Sequence, residues 1–446
     1  MSLTDNFLQN IFQLRTQSVI DEKIERLIRS YLLDTIGVTF AGSKDLKERE
    51  LCLLDLMGDN SNACVHPIGH TRLANMADTI FINGLSSHFL ELDDGVRYGV
   101  IHPSAPIFSA LIPLAIFYKV PWKDFLMAAI CGYETGIRLA TSMQPSHYKL
   151  GYHPTATCCT LSVAVSVSVM LGMDNKVVKD AFSAACISAS GSLKVLEDVS
   201  QLKPYNCAKA SLNGYMSAIL AMSGFKGPLD PLGGDVGFLK MMSSSYKEEI
   251  LIDKQNFLYL EKIYQKPYAS CRHTHPEIEA CLKIRKDQRF NVENIDRVQV
   301  TTYKDVMGKH DFKEIFGESS ARMSIPYSVA VSLITGKAGI AEFSDPYVSN
   351  YTILCLTRKV DVVPSEDFSC LVPDKRVALV ELYLKSGEII SEKVEYPKGE
   401  PENPLSTEEQ LVKFLSMTSY AGLAQERAYQ MYYEIVENKN PKLTIL

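Results

Sequence analysis

From Ile20 to about Phe225, apolar positions recur at the spacing of one helical face, and the segment reads as a succession of helices. Ile24 to Phe40 is the clearest case. Leu27, Ile28, Tyr31, Leu32, Ile36 and Val38 form an apolar stripe there, and Gly42 is the expected stop. Small residues crowd the core-facing positions (Ala164, Ala184, Ala185, Ser188, Gly191, Ala210 and Gly214), which lets helix backbones approach closely. The pattern changes after Lys262. Ile295 to Tyr303 alternates as a strand, and Val377 to Leu384, Lys385-Ser386-Gly387 and Ile389 to Tyr396 predict a hairpin. Helical spacing returns at Ser406, where Thr407, Glu408 and Glu409 supply a capping start and Leu411, Phe414 and Leu415 a stripe. These elements predict a mainly α fold: a large all-helical domain formed by both chain ends (1–261 and 401–446), with an α+β lid domain (262–400) inserted between them.

Composition narrows the function classes. The chain has 446 residues, 46% of them apolar, enough for more than one core. Its 46 Lys+Arg against 52 Asp+Glu give a net charge of -6 without a long run of one sign, which argues against nucleic acid or anionic lipid as a partner. An anionic substrate must then be held by a local cluster. The first fifteen residues interleave Asp5, Asn6, Gln9 and Gln13 with apolar ones, unlike a secretory signal. The most apolar stretches, Phe108 to Tyr118 and Cys159 to Met173, are shorter than a membrane span. A cytoplasmic chain with no membrane partner is expected. The eleven cysteines are scattered without a CxxC pair, which predicts reduced thiols and no structural zinc or iron–sulfur site. With no GxGxxG after a strand, no GxxxxGK[ST] and no GxSxG, neither a nucleotide nor a metal cofactor is expected.

The most informative motif is a basic residue directly followed by proline at the head of a helical pattern: His102-Pro103, His153-Pro154, Lys203-Pro204, Lys266-Pro267 and His275-Pro276. Proline suits a first helical turn because its missing N–H has no helical partner, and the positive end of the helix dipole lies there. Such an end attracts carboxylates and favours neutral imidazole, which suits a general base. Any single pair of this kind also fits an ordinary surface helix start; its repetition is what points to a polyanion site. The acidic run Glu91, Asp93, Asp94 with Arg97 lies a short loop before His102. Its carboxylates either orient that histidine and transfer protons or simply cap a turn. The loop carrying His147, Tyr148, Lys149, Tyr152 and His153 is dense in titratable groups, as sites often are. Arg272, His273 and His275 lie at the expected domain junction, where clefts form; the two histidines could bind metal, or one may only pack.

Taken together, these residues resemble the MmgE/PrpD family, which includes 2-methylcitrate dehydratase, cis-aconitate decarboxylase and iminodisuccinate epimerase. The resemblance rests on Leu33-Asp34-Thr35-Ile36-Gly37, Leu92-Asp93-Asp94 with His102-Pro103-Ser104, Gly132-Tyr133-Glu134, Gly151 to Thr155, Lys203 through Gly214, Cys271 to His275, Ser324-Ile325-Pro326-Tyr327 and Pro397-Lys398-Gly399. It implies a homodimer without a cofactor and an active site holding Asp93, His102, His153, Lys203 and Lys266, with Tyr327 nearby. Two departures stand out: Tyr205 and Asn206 follow Lys203 where many relatives have Leu-His, and Gly95 stands where the decarboxylase-like pattern has threonine.

The combined expectation is a lyase acting on a small di- or tricarboxylate. Asp93, His102, His153 and Lys203 are its catalytic candidates, and Glu91, Asp94, Arg97, His147, Tyr148, Lys266, Arg272, His275 and Tyr327 its substrate-binding candidates. Dehydration of a 2-methylcitrate-like hydroxy acid ranks first, then epimerisation of an iminodisuccinate-like substrate, then decarboxylation of cis-aconitate. The reading from another class is a non-catalytic organic-acid-binding protein.

Overall fold

The computed structural model describes residues 2–17, 19–58, 61–196, 200–253 and 258–446. Its first half contains α1 (Leu3–Arg15), α2 (Glu22–Leu56), α3 (Met76–Phe89), α4 (Ser104–Tyr118), α5 (Trp122–Met143), the single-turn α6 (Ser146–Lys149), α7 (Pro154–Met170), α8 (Asn175–Ser188) and α9 (Lys203–Met222). The short α10 (Phe238–Met242) and α11 (Glu248–Ile252) follow. Helix α7 sits at the centre, packed against α4, α5, α8 and α9. Every residue of α7 is buried; the Thr160 and Ser162 hydroxyls donate to the Ala156 and Gly132 carbonyls, while those of Ser166 and Ser168 have no partner among the described residues. Burial on all sides explains why α7 shows no amphipathic stripe in the sequence.

Helix α2 does not stop at Gly42 but continues to Leu56. That glycine marks a close approach, because a Cβ there would collide with the Ser86 carbonyl of α3.

The second half contains α12 (His275–Ile284), β1 (Ile295–Thr302), α13 (Glu318–Met323), α14 (Ile325–Thr335), α15 (Tyr351–Arg358), β2 (Val360–Pro364), α16 (Glu366–Ser369), β3 (Ala378–Leu384), β4 (Ile389–Val394), α17 (Thr407–Tyr420) and α18 (Gln425–Tyr432). The four strands form one mixed sheet in the order β2-β1-β3-β4. β1 pairs parallel with β2 (Val298 opposite Val360) and antiparallel with β3 (Val300 opposite Val380), and β3 pairs antiparallel with β4 (Leu382 opposite Ile390). Helices α12 and α14 pack on this layer.

The expected fold class needs correction. Helices predominate, but they share the fold with a four-stranded mixed sheet, with a parallel pair the alternation pattern did not reveal, and the division into an all-helical domain with an inserted lid does not describe it. The expected all-helical part also contains paired extended segments, Val65 with Ala74 and Val96 with Ile101 among them. Nor does a lid describe the sheet-bearing part, because its core is shared: Val38 and Ala41 of α2, Leu90, Leu92 and Met417 of α17 join the cluster around Val298, Val300, Val380 and Leu382. Among the described residues, no helix is long and apolar enough to cross a membrane.

Candidate active site

Four of the basic-proline pairs stand at helix starts. Pro103 precedes α4, His153 is the N-cap of α7, Lys203 begins α9 and His275 begins α12. Lys266-Pro267 differs, since a run of bends follows it. Two left-handed residues, Glu91 (φ 55°) and Val100 (φ 50°), flank the loop between α3 and α4. That conformation is strained for a side-chain-bearing residue, most of all for β-branched valine, and surrounding contacts must hold it. They are numerous: Lys266 Nζ donates to the Glu91 carbonyl at 2.9 Å, Lys413 of α17 donates to the Leu92 carbonyl at 3.1 Å, and Gly95 bridges to Tyr264.

Asp93 is the hub of this loop. It is 1% exposed, and its Oδ2 accepts from His88 Nδ1 at 2.7 Å and lies 3.5 Å from His102 Nδ1. Its Oδ1 has no hydrogen bond among the described residues and lies 3.9 Å from Lys266 Nζ. Burial would raise this carboxyl, but the neighbouring His88, with its hydrogen bond, and Lys266 outweigh it and hold Asp93 below the usual carboxylate range. His102 Nδ1 lies 2.6 Å from the Asp94 carbonyl, which can only accept. The proton therefore sits on Nδ1, and Nε2 carries the free lone pair. Burial pushes His102 down to about 3, against the pull of Asp93, so the ring is neutral at ordinary pH. His153 is likewise held well below its ordinary value, first by burial and then by Lys203, and its Nδ1 is buried without a partner among the described residues. The rings of His102 and His153 lie 4.9 and 6.3 Å from that of His88.

Lys203 is ion-paired with both oxygens of the Glu91 carboxylate, and Lys266, fully buried, lies 3.6 Å from the same group. Burial would raise Glu91, but Lys203 and then Lys266 hold it below the usual range. Glu91 and Lys203 reach the wall of a cavity of about 1180 Å³, which Tyr148 also lines. The structure thus brings together Asp93, His102, His153, Lys203, Glu91 and Lys266, from the heads of α7 and α9 and two loops.

Other candidates are differently employed. Asp94 accepts from the Ser104 hydroxyl and, at 3.3 Å, from the Ser104 amide. Burial pushes its carboxyl up to about 8, Asp93 and Asp34 adding to the rise against the Ser104 hydrogen bond, so Asp94 is a neutral acid at pH 7. Arg97 and Arg272 both pair with buried Glu400, at 2.7 and 2.8 Å, and Arg97 also pairs with Glu402. Arg272 donates to His275 Nδ1 at 2.8 Å, while His275 Nε2 lies 3.3 Å from the Ser270 carbonyl. His147 donates to the Met242 carbonyl and meets the Thr157 hydroxyl, and the Tyr327 hydroxyl donates to the Glu342 carbonyl at 2.7 Å. These side chains are engaged by the protein's own groups, although Arg97 Nε has no partner among the described residues.

Removing one partner of a buried pair strands the other charge. Glu400→Gln should therefore cost about 3–5 kcal/mol of stability by urea unfolding, because two guanidinium groups lose their counter-charge. Arg272 and Arg97 hold Glu400 below the usual range despite burial, so this stabilisation is present at neutral pH and lost as the pH falls through the acid range. An unchanged unfolding midpoint would contradict that role.

Sequence reasoning missed several neighbours. His88 occupies the last turn of α3 and signals itself only by standing five positions before Asp93. Lys309, His310 and Arg322 line the cavity from the sheet-bearing half, with no motif to announce them. His88, Asp93 and His102 form a group whose ligand atoms lie within 4.8 Å of one another, the spacing a metal ion would need. A cation there would have to displace the proton shared by His88 and Asp93 and sit beside the Lys266 ammonium, an unfavourable neighbour.

The fold and this site define a helix-and-sheet protein with a buried His-Asp-Lys cluster beside a cavity that Glu91 and Lys203 reach. Residues 6–250 match the MmgE/PrpD N-terminal domain and residues 268–436 the MmgE/PrpD C-terminal domain. The chain belongs to the MmgE/PrpD family. It is similar to a cis-aconitate decarboxylase-like protein of Aspergillus oryzae, with 25% identity over 366 residues that cover 74% of this chain and 73% of that protein.

Proposed function

We propose that the protein is a cofactor-independent lyase that removes a proton beside a carboxylate of a small di- or tricarboxylate, with a 2-methylcitrate-like hydroxy acid as substrate. The observation that carries this reading is the neutral His102, with its lone pair on Nε2, held between ionised Asp93 and the Lys203 and Lys266 ammonium groups. His102 Nε2 takes the α-proton, while the two lysines offset the charge that develops on the adjacent carboxylate. The C–O bond then breaks, and the leaving hydroxide takes a proton relayed through His153 to become water. Lys203 meets its substrate carboxylate by exchanging Glu91 for it. A homodimer, carried by the family resemblance, and a cytoplasmic location, carried by the mixed polar and apolar first fifteen residues, complete the reading.

Epimerisation and decarboxylation pass through the same carbanion-like species, and the name of the Aspergillus relative favours decarboxylation as the second reading. One feature keeps it second. The phenol of Tyr264 fills the space that a Cβ at Gly95 would need, so this chain has no room for the threonine of the decarboxylase-like pattern.

The test is incubation with citrate, 2-methylcitrate, cis-aconitate and iminodisuccinate in deuterated water, in both reaction directions. Deuterium should enter at carbon in a hydroxy or imino acid faster than cis-aconitate loses CO₂. Activity should also survive exhaustive chelation, with no stoichiometric metal by elemental analysis. Rapid CO₂ release from cis-aconitate alone would reverse the ranking, and tight binding of these acids with no turnover would favour a non-catalytic binding protein.

A further inference from the structure

The cavity beside the His-Asp-Lys cluster is larger than a small acid requires. It encloses about 1180 Å³, where a drug-sized ligand occupies a pocket of about 300–1,000 Å³ and a citrate-sized acid is smaller than such a ligand. Glu91 and Lys203 form a charged part of its wall, and Lys266 links that part to Asp93. Much of the remaining wall is apolar. Leu193, Val195 and Leu196 line it from the helical turn Leu193–Leu196 that follows α8, and Phe312, Phe316 and Met323 line it from the sheet-bearing half.

These six side chains belong to no hydrophobic core cluster of the described residues. Five are half-buried and Phe316 is 73% exposed, whereas Ile315, the residue before it, packs against the core around Val298 and Val380. Apolar surface gathered from two parts of the chain onto one concave space stays wetted until an apolar ligand covers it, and a polar rim around such surface marks a binding groove. Both walls are held in place. The Leu193 amide donates to the Gly151 carbonyl at 2.7 Å, and the Ser324 hydroxyl donates to the Phe312 carbonyl at 2.7 Å. They approach each other where Lys309 Nζ lies 5.6 Å from the centre of the Tyr148 ring, two residues that also line the cavity. The apolar space is therefore preformed, and it is continuous with Glu91 and Lys203, so the molecule that enters it is the one whose carboxylate those residues meet.

We propose that the substrate is a polycarboxylate bearing an alkyl arm of several carbons, and that the arm lies between the Leu193–Leu196 turn and Phe312 while a carboxylate meets Lys203. The inference rests on the polycarboxylate reading above and sharpens it. A single methyl branch leaves most of this cavity unfilled, whereas a longer arm removes both its own surface and that of the six side chains from water. Each added methylene should then tighten binding until the arm reaches the rim at Phe316.

Calorimetric titration of the wild type with succinate and its 2-methyl, 2-butyl and 2-octyl derivatives tests this, with tricarballylate as an acid that carries no arm. Affinity should rise roughly two- to four-fold per methylene, so that octylsuccinate binds about 100-fold or more tighter than succinate. Octanoate, which has the arm but one carboxylate, should bind more weakly than octylsuccinate. Leu196→Ser and Phe312→Ser should flatten the series while leaving succinate and tricarballylate affinity unchanged, and kcat/KM for 2-alkylcitrates should rise from methyl to hexyl in the wild type. An octylsuccinate affinity equal to that of succinate overturns the inference alone. So does a rising series that both variants retain, which would place the arm elsewhere on the chain; if one variant fails to fold, the other decides. If the wild type binds neither tricarballylate nor any of the succinates, the polycarboxylate reading falls and this inference with it.

Discussion

His102→Ala and His153→Ala should each lower turnover by on the order of 100-fold or more while leaving the fold intact, as expected when a positioned proton-transfer group is removed. The geometry gives this its force. His102 is held in one tautomer by the Asp94 carbonyl, and burial keeps it neutral, so it is a ready base without prior deprotonation. A pH signature follows. A group held near 3 in the folded protein loses its base form only as the pH falls toward that value, so kcat/KM should show no acid limb near 6.5, the ordinary value for histidine. Circular dichroism of each variant separates lost chemistry from lost structure, since His153 caps α7. Near-normal turnover in both variants would reduce these residues to helix-start histidines.

Lys203→Ala and Lys266→Ala should each cost about 10²–10³ in kcat/KM, with substrate capture and turnover falling together, because a charge that holds the ground-state carboxylate also stabilises the growing carbanion. The two should differ in stability. Lys203 reaches the cavity wall, and its loss leaves Glu91 beside Lys266. Lys266 is fully buried between Glu91 and Asp93 and ties down the strained Glu91 carbonyl, so its removal should destabilise the fold by about 3–5 kcal/mol. Lys266→Arg and steady-state kinetics on the folded fraction keep the catalytic claim testable. A variant of Lys203 with unchanged KM and kcat would remove it from the site.

The parts of this architecture legible in the sequence are those with a strong local period. β1 and the β3–β4 hairpin announce themselves by alternation, and α17 by its Ser406–Glu409 capping box. β2 escaped because its five residues are largely solvent-facing and it is ordered by pairing with β1, more than fifty residues earlier. The same omission misled the fold class: four strands and a core shared with Val38, Leu92 and Met417 cannot be counted from one alternating segment and one hairpin.

The acid–base group was legible through Asp93, His102 and His153, because each stands beside a turn, a proline or another acid. Which neighbours those residues would meet was not. Arg97, Arg272 and His275 look like free carboxylate binders in the sequence, but Glu400 and the protein's own backbone engage them. Arg376 looks like one more charged residue ahead of a strand, yet it is buried and its Nε has no partner among the described residues.

The sequence alone determined where the strongly periodic helices and strands arise, the family, and the chemistry of the acidic loop with its two histidines, because backbone period and turn chemistry are set within a few residues. Tertiary structure decided the strand order, the tautomer of His102 and which cations are neutralised. Those outcomes depend on ångström-scale distances that backbone period does not set, from His102 against the nearby Asp94 carbonyl to Arg97 against the distant Glu400, and only packing fixes such distances.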